Sequence, residues 1–417
     1  MFLEKEGKLI YSYDGETVCI EAWGKDALRV RATKNRSFTG HDWALEAKDA
    51  HAGEVEIFED PSAKGGAFAN MYEGTDTSYG KITNGKLHAV IDSGSVITFY
   101  HEDGRVLLKE HFRRLRDEES MPLNIMGREY SNGVGDNFRI VARFVARKGE
   151  KIFGMGQYQQ HELDLKGCML ELAQRNSQVS VPFYLSSIGY GFLWNNPGVG
   201  QVMFANNGTE WVTESGKEID YLVIAGDTPA EIEENYMTLT GKPPMMPEYG
   251  MGFWQCKLRY WNQEQLLSVA RKYKELGVPL DVIVVDFFHW TKQGEFKFDP
   301  KYWPDVPGMC RELKEMGIQV VVSVWPTVDI YSENFEEMKE KVYLVRTEHG
   351  VPLTMLCGGN EVFFDATNPD ARTYVWEKIK KNYYDQGAKL FWLDVAEPEY
   401  SVYDFKNYRY QLGSVQE

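Results

Sequence analysis

The run KLFWLDVAEPEY, Lys389–Tyr400, sets three carboxylates, Asp394, Glu397 and Glu399, directly behind an apolar stretch. A carboxylate just past the last apolar residue of a strand faces a partly desolvated space. Held against an anomeric carbon, it can attack that carbon and stabilise oxocarbenium character. Aromatic side chains beside it suit a sugar ring, stacking on the C–H face while the acids accept hydrogen bonds from its hydroxyls. Asp286 with Phe288, Trp325, and Trp392 beside Asp394 itself all fall at or near the ends of apolar runs. Each alone has a plainer role, the acids as helix caps or solvated charge and the aromatics as core. Together, at several run ends, they favour a pocket. His289 is a further polar group there, with a structural role as its plainer reading.

The surrounding elements change character along the chain. As far as about Met245, short alternating runs such as ALRVRAT, KLHAVID and FRIVARFVA are broken by Gly, Asn, Asp and Ser clusters. Period-two runs with frequent turn signals predict an antiparallel β-sandwich. GKPPMMPEYG, Gly241–Gly250, marks a boundary, giving a sandwich domain over 1–245 and a second domain over 246–417. Beyond it, MGFWQCKL, DVIVVDFFHW, IQVVVSVWPTV and AKLFWLDVAEP are apolar runs separated by helical patterns. The first helix opens on Asn262 with Gln265, a capping box, carries Leu266, Val269, Ala270, Tyr273 and Leu276, and stops at Gly277. Others are predicted from about Asp305 to Met316, from near Ser332, and from Asn368-Pro369 to Gly387, with LVRTEHGVPLTML as loop.

Strands apolar throughout, alternating with amphipathic helices, describe a parallel sheet covered on both faces. A barrel gathers functional strand ends into one pocket, and no run is followed by the Gly-rich phosphate turn of a dinucleotide-binding sheet. The fold class is therefore read as multi-domain β plus α/β: an antiparallel β-sandwich, then an incomplete (β/α)8 TIM barrel with about four βα units.

A net charge of -16 argues against nucleic acid and anionic membranes as partners. The five cysteines, Cys19, Cys168, Cys256, Cys310 and Cys357, form no CxxC pair and read as reduced, buried thiols. No metal or organic cofactor is implied. The N-terminal MFLEKEGKLIYSYDG has no apolar signal region, and a cytoplasmic location is expected.

These motifs, in order, resemble glycoside hydrolase family 31, the α-glucosidase and α-xylosidase family. The resemblance is carried by YGMGFWQ, VIVVDFFHW, VVVSVWPTV, FDATNPDAR and FWLDVAEPE, the last like the family's W-x-D-x-x-E nucleophile signature. GMGQYQQHELDLKG and GYGFLWNNPG look like family segments of the sandwich half. The resemblance implies Asp394 as catalytic nucleophile and Glu397 as its support. It also implies Asp286 as a ligand of sugar hydroxyls, Phe288 as pocket lining, and Trp325 and Trp392 as aromatic walls. The implied activity is retaining hydrolysis of terminal α-xylosyl or α-glucosyl residues of an oligosaccharide.

The family's acid/base is an Asp on a later strand, and no corresponding segment follows Tyr400. Gly250 to Glu417 is also shorter than the ~250 residues of a full barrel. The expectation is a truncated chain, inactive as it stands, whose partner is a complementary C-terminal half or a second copy. The competing reading is a non-catalytic carbohydrate-binding or assembly fragment.

Overall fold

The computed structural model describes residues 1–61, 76–111, 126–352, 360–396 and 407–411. Two compact units divide at Pro243 and Pro244.

Among the described residues the first unit is antiparallel throughout, with one nine-stranded and two five-stranded sheets. Its alternating sequences do what their period requires: in Leu87–Asp92 and Ile97–His101 every second residue is buried. Ile219–Ala225 is buried at every position because it lies between two neighbours, Ala27–Thr33 and Tyr190–Trp194. Residues of all three sheets, among them Val30, Phe99, Phe192, Phe204, Trp211 and Tyr221, share one core, which makes the unit a sandwich. The helix Pro229–Thr240 starts where Thr228 accepts a hydrogen bond from the Glu231 N–H, with Pro229 at the first helical position. Its Ile232 and Leu239 pack with Trp23 and Leu222 in a second, smaller core.

The second unit is built on a parallel sheet, in the order Trp254–Gln255, Val282–Val285, Gln319–Val324, Leu390–Leu393. Helices Gln263–Glu275, Val306–Glu315, Phe335–Glu340 and Pro369–Ile379 accompany it. The caps are local chemistry. Asn262, Asp305 and Asn368 each accept from a backbone N–H of the first turn. At the far end of the second helix, Gly317 takes φ +77° and the Ile318 N–H returns to the Leu313 carbonyl, so the chain leaves the helix with Leu313 and Ile318 both buried.

Three details differ from expectation. The helix placed near Ser332 begins at Phe335. The helix from Pro369 ends at Ile379 and runs into a π-helical turn, Lys380–Tyr384. The stretch from Leu344, expected as loop, contributes Arg346–Thr347, which pairs with Tyr408–Arg409. After it, Glu361–Phe363 pairs with Thr327–Asp329. Among the described residues, no helix is long and apolar enough to cross a membrane.

Candidate active site

Strand alternation sorts the site. On one face of the parallel sheet, Ile283, Val285, Val320, Val322 and Val324 join the helix-covered core. On the other, Val282, Val284, Val321 and Leu390 meet Tyr249. Two residues per repeat then carries Asp286 onto the face of Val284, Ser323 and Trp325 onto that of Val321, and Trp392 and Asp394 onto that of Leu390. The register agrees: Ser323 pairs with Trp392, which sets Trp325 opposite Asp394. The face is concave. Trp254 and Trp392, on the first and fourth strands, would stand about 14 Å apart in a flat sheet, yet their rings meet edge-on at 6.5 Å.

Asp394 follows the last residue of its strand and is half-buried. Its Oδ1 accepts from the Val395 N–H at 2.9 Å. Its Oδ2 accepts from Trp325 Nε1 at 3.1 Å and from the Ser323 hydroxyl at 3.4 Å. Val395 holds φ +57°, a costly conformation for a β-branched residue, so the backbone is bent sharply just where the carboxylate is presented. Asp286 repeats the arrangement: Oδ1 accepts from the Phe287 N–H at 2.7 Å, and Phe288 holds φ +58°. Asp286 Oδ2 accepts from the Cys256 thiol at 3.3 Å. Partial desolvation at the strand end first, and that bond second, push the thiol up to about 11, so it stays protonated and donating.

Trp325 ties the two strand ends together, with ring contacts to Phe287, Phe288 and Trp290 at 5.5, 6.1 and 5.6 Å. His289 sits behind them, fully buried. Its Nδ1 lies 2.9 Å from the Asp286 carbonyl, which can only accept, so the proton is on Nδ1. Nε2 is then free to accept from the Tyr383 hydroxyl at 2.9 Å. Burial lowers this imidazole to about 4, in keeping with a neutral ring. His289 is therefore a brace, and Tyr383, delivered by the π-helical turn, is its counterpart.

Of the residues singled out by sequence, Asp286, Trp325, Trp392 and Asp394 share the concave face, with Phe288 against Trp325. Glu397 lies outside the described residues, as do Glu399 and Cys357. The apolar run before Asp394 is not a buried strand: Trp392 is 51% and Leu393 71% exposed, because among the described residues it is the edge of its sheet. Nor are all the thiols buried, Cys256 being exposed on the site. Sequence reading gave Ser323 no role and took Cys256 only as a buried thiol. Ser323 sits at period two from Trp325 and Cys256 at period two from Trp254 in the run MGFWQCKL, and that spacing was the available signal.

A groove of about 610 Å³ flanks the edge strand, lined by Phe296, Val324, Phe363, Val375, Phe391 and Leu393 among others. Much of its lining belongs to the helix-covered side, and Trp325 and Asp394 also line it. An apolar lining offers a sugar's hydroxyls little, so the concave face is the better sugar site.

Glu361, in the strand paired with Thr327–Asp329, is fully buried, and Gln293 faces both of its carboxyl oxygens. Burial, with the Asp329 carboxylate nearby, pushes it up to about 7. Because the folded value lies above the ordinary 4.5, the folded state holds the proton more tightly. The stability contributed is full below about pH 4 and is lost as pH rises through about 7. Glu361→Gln is expected to remove, from the melting curve between about pH 5 and 8, a decline worth on the order of 2 kcal/mol. An equally steep decline in the variant would contradict this.

Comparison with known proteins places this geometry. Residues 243–414 match the glycosyl hydrolases family 31 TIM-barrel domain, and residues 17–202 match the glycosyl hydrolase 31 N-terminal galactose mutarotase-like domain. The whole chain is 45% identical to a Pseudescherichia vulneris protein named as an uncharacterized family 31 glucosidase, spanning 77% of it. It is 31% identical to α-xylosidase A of Aspergillus niger, over 92% of this chain and 52% of that protein. Among solved structures, a family 31 α-xylosidase from a soil metagenome, complexed with xylose, superposes with a TM-score of 0.91 at 49% identity. That match covers 100% of this chain and 60% of the other. A two-domain scaffold with a sandwich and barrel strands ending in paired acids and tryptophans is that of a glycoside hydrolase. The chain belongs to glycoside hydrolase family 31. It spans about three quarters of one of these relatives and a little over half of the others.

Proposed function

We propose that the protein carrying this chain is a retaining α-glycosidase acting on terminal α-xylosyl residues of oligosaccharides, with Asp394 as nucleophile. The observation that carries the reading is the setting of Asp394. It is a half-buried carboxylate held by Trp325 Nε1 and the Val395 N–H, on one concave face with Asp286 and Trp392. The preference for xylosides draws support from relatives named α-xylosidase.

In this reading an Asp394 oxygen attacks the anomeric carbon as the bond from that carbon to the leaving oxygen breaks. The departing oxygen takes a proton from a second carboxyl group, which retaining chemistry places roughly 5–5.5 Å from the nucleophile. Water, deprotonated by the same second group, then displaces Asp394 and restores the starting configuration. Asp286 accepts hydrogen bonds from sugar hydroxyls through the lone pairs that Phe287 and Cys256 leave open. Phe288 and the tryptophans cover the ring's C–H faces.

Initial rates on aryl α-xyloside and α-glucoside test it. A pocket fitted to the smaller sugar should prefer the xyloside by about tenfold or more in kcat/KM, since one extra hydroxymethyl group must be accommodated. The xylose should be released as the α-anomer, before mutarotation. Preference for the glucoside, or xylose released as the β-anomer, would overturn the proposal. Xylose binding without turnover of either substrate would favour the non-catalytic reading.

A further inference from the structure

Behind the site stands a buried acid, Glu361, that the reaction above does not use. Its strand, Glu361–Phe363, pairs with Thr327–Asp329, which begins two residues after Trp325. Val328 and Val362 belong to the helix-covered core. Phe363, on the opposite face with Glu361, packs with Val395, and Trp325 packs against that cluster. The strand thus supports both the turn after Asp394 and the indole that holds it. On its other side lies the loop after the second parallel strand. Gln293 of that loop presents its side-chain amide to the Glu361 carboxyl and its backbone carbonyl to the Asp329 N–H at 3.1 Å. Gly294 runs so close to the strand pair that an added Cβ would come 2.7 Å from the Val328 Cα, and its carbonyl accepts from Asn334 Nδ2 at 2.7 Å. Trp290 and Gln293 of this loop line one small cavity together with Trp325.

We propose that Glu361 is a positioning residue for Trp325, clamping the loop after the second parallel strand to the strand pair while its own carboxyl group is neutral. The inference rests on Asp394 being the reacting carboxylate, since Trp325 Nε1 donates to Asp394 Oδ2. Two features make the clamp depend on a proton. A carboxylic acid and a primary amide each offer the other one donor and one acceptor, whereas a carboxylate can only accept. Asp329 also stands directly opposite Glu361 across the two strands, and like charges so placed destabilise the pairing. Of the described groups that face Glu361, Gln293 and Thr327 are neutral and Asp329 is charged. Burial first, with Asp329 adding to it, raises Glu361 to about 7. As pH rises through that value the acid loses its proton, the strand pair loosens, and Trp325 moves relative to Asp394.

Nuclear magnetic resonance of the 417-residue chain carrying isotope-labelled tryptophan tests it through the Trp325 Nε1–H, identified by its loss in Trp325→Phe. In the wild-type chain that resonance should move between about pH 5 and 9 with a midpoint near about 7, and in Glu361→Gln it should not. A resonance that stays put in the wild type, or that titrates equally in Glu361→Gln, would overturn the proposal. Turnover of an aryl α-xyloside by the protein carrying this chain tests the consequence. Glu361→Ala should lower kcat at about pH 6 by about tenfold with KM changed less than about twofold, and Glu361→Gln, which keeps a neutral hydrogen-bonding head, should recover most of the loss. An unchanged kcat in Glu361→Ala, or an equal loss in Glu361→Gln, would also overturn it. A titrating indole in a wild-type protein that turns over neither glycoside would support the clamp and overturn the glycosidase reading instead.

Discussion

Asp394→Asn in the protein carrying this chain is expected to reduce turnover of aryl α-xylosides by ~10⁴-fold or more while leaving xylose affinity within a few-fold. The two side chains have nearly the same shape, so the turn at Val395 and the walls of Trp325 and Trp392 should survive the exchange. What is lost is the nucleophile. An amide has no anionic oxygen to form the covalent ester, and the Ser323 hydroxyl beside it already donates toward the same side chain. The measurement is kcat beside a binding constant on the same preparation. A fall in both by the same factor would mean that Asp394 holds the sugar and does not react with it.

The second large effect is on stability and lies in the sandwich. Arg29 is fully buried and forms two parallel hydrogen bonds to Asp220, Nε to Oδ1 at 2.9 Å and Nη2 to Oδ2 at 2.7 Å. It also reaches Asp42 at 2.7 Å and the His41 carbonyl at 2.8 Å, and its guanidinium lies 4.7 Å from the Trp23 ring. Asp220 sits on the all-buried central strand Ile219–Ala225, with Asn195 as its other side-chain partner at 2.7 Å. Removing the cation leaves that carboxylate without a counter-charge in the core. Arg29→Met is therefore expected to cost about 3–5 kcal/mol, a fall of roughly 10 °C in the sandwich's melting transition. Arg29→Met combined with Asp220→Leu should recover a good part, because the penalty comes from the orphaned charge. A loss below about 1 kcal/mol in the single variant, measured by calorimetry, would show that water or rearrangement relieves it.

Much of this architecture could be read from the chain because its signals are local. The change from period two to helix-separated apolar runs needs no knowledge of partners, and strand alternation carries Asp286, Trp325, Trp392 and Asp394 to one face. Capping residues Asn262 and Asn368 lie next to the turns they close. What escaped was non-local. The Thr327–Asp329 strand pairs with a segment some thirty residues on, and three-residue strands leave too short a pattern to recognise. The contact of Cys256 with Asp286 crosses two strands. The exposure of Trp392 and Leu393 depends on what lies beside the fourth strand, which its own composition does not record. His289 could be named as a polar group near the pocket, but its role as a brace depends on Tyr383, 94 positions away.

The role proposed for Asp394 is to form the covalent bond to the sugar. The most direct test is to incubate the protein carrying this chain with 5-fluoro-α-xylosyl fluoride, digest it, and locate the adduct by mass spectrometry. Fluoride leaves without a proton donor, and the ring fluorine slows release of the intermediate by disfavouring oxocarbenium character. A single fluoroxylosyl ester on Asp394 is expected. An adduct on any other side chain would contradict it.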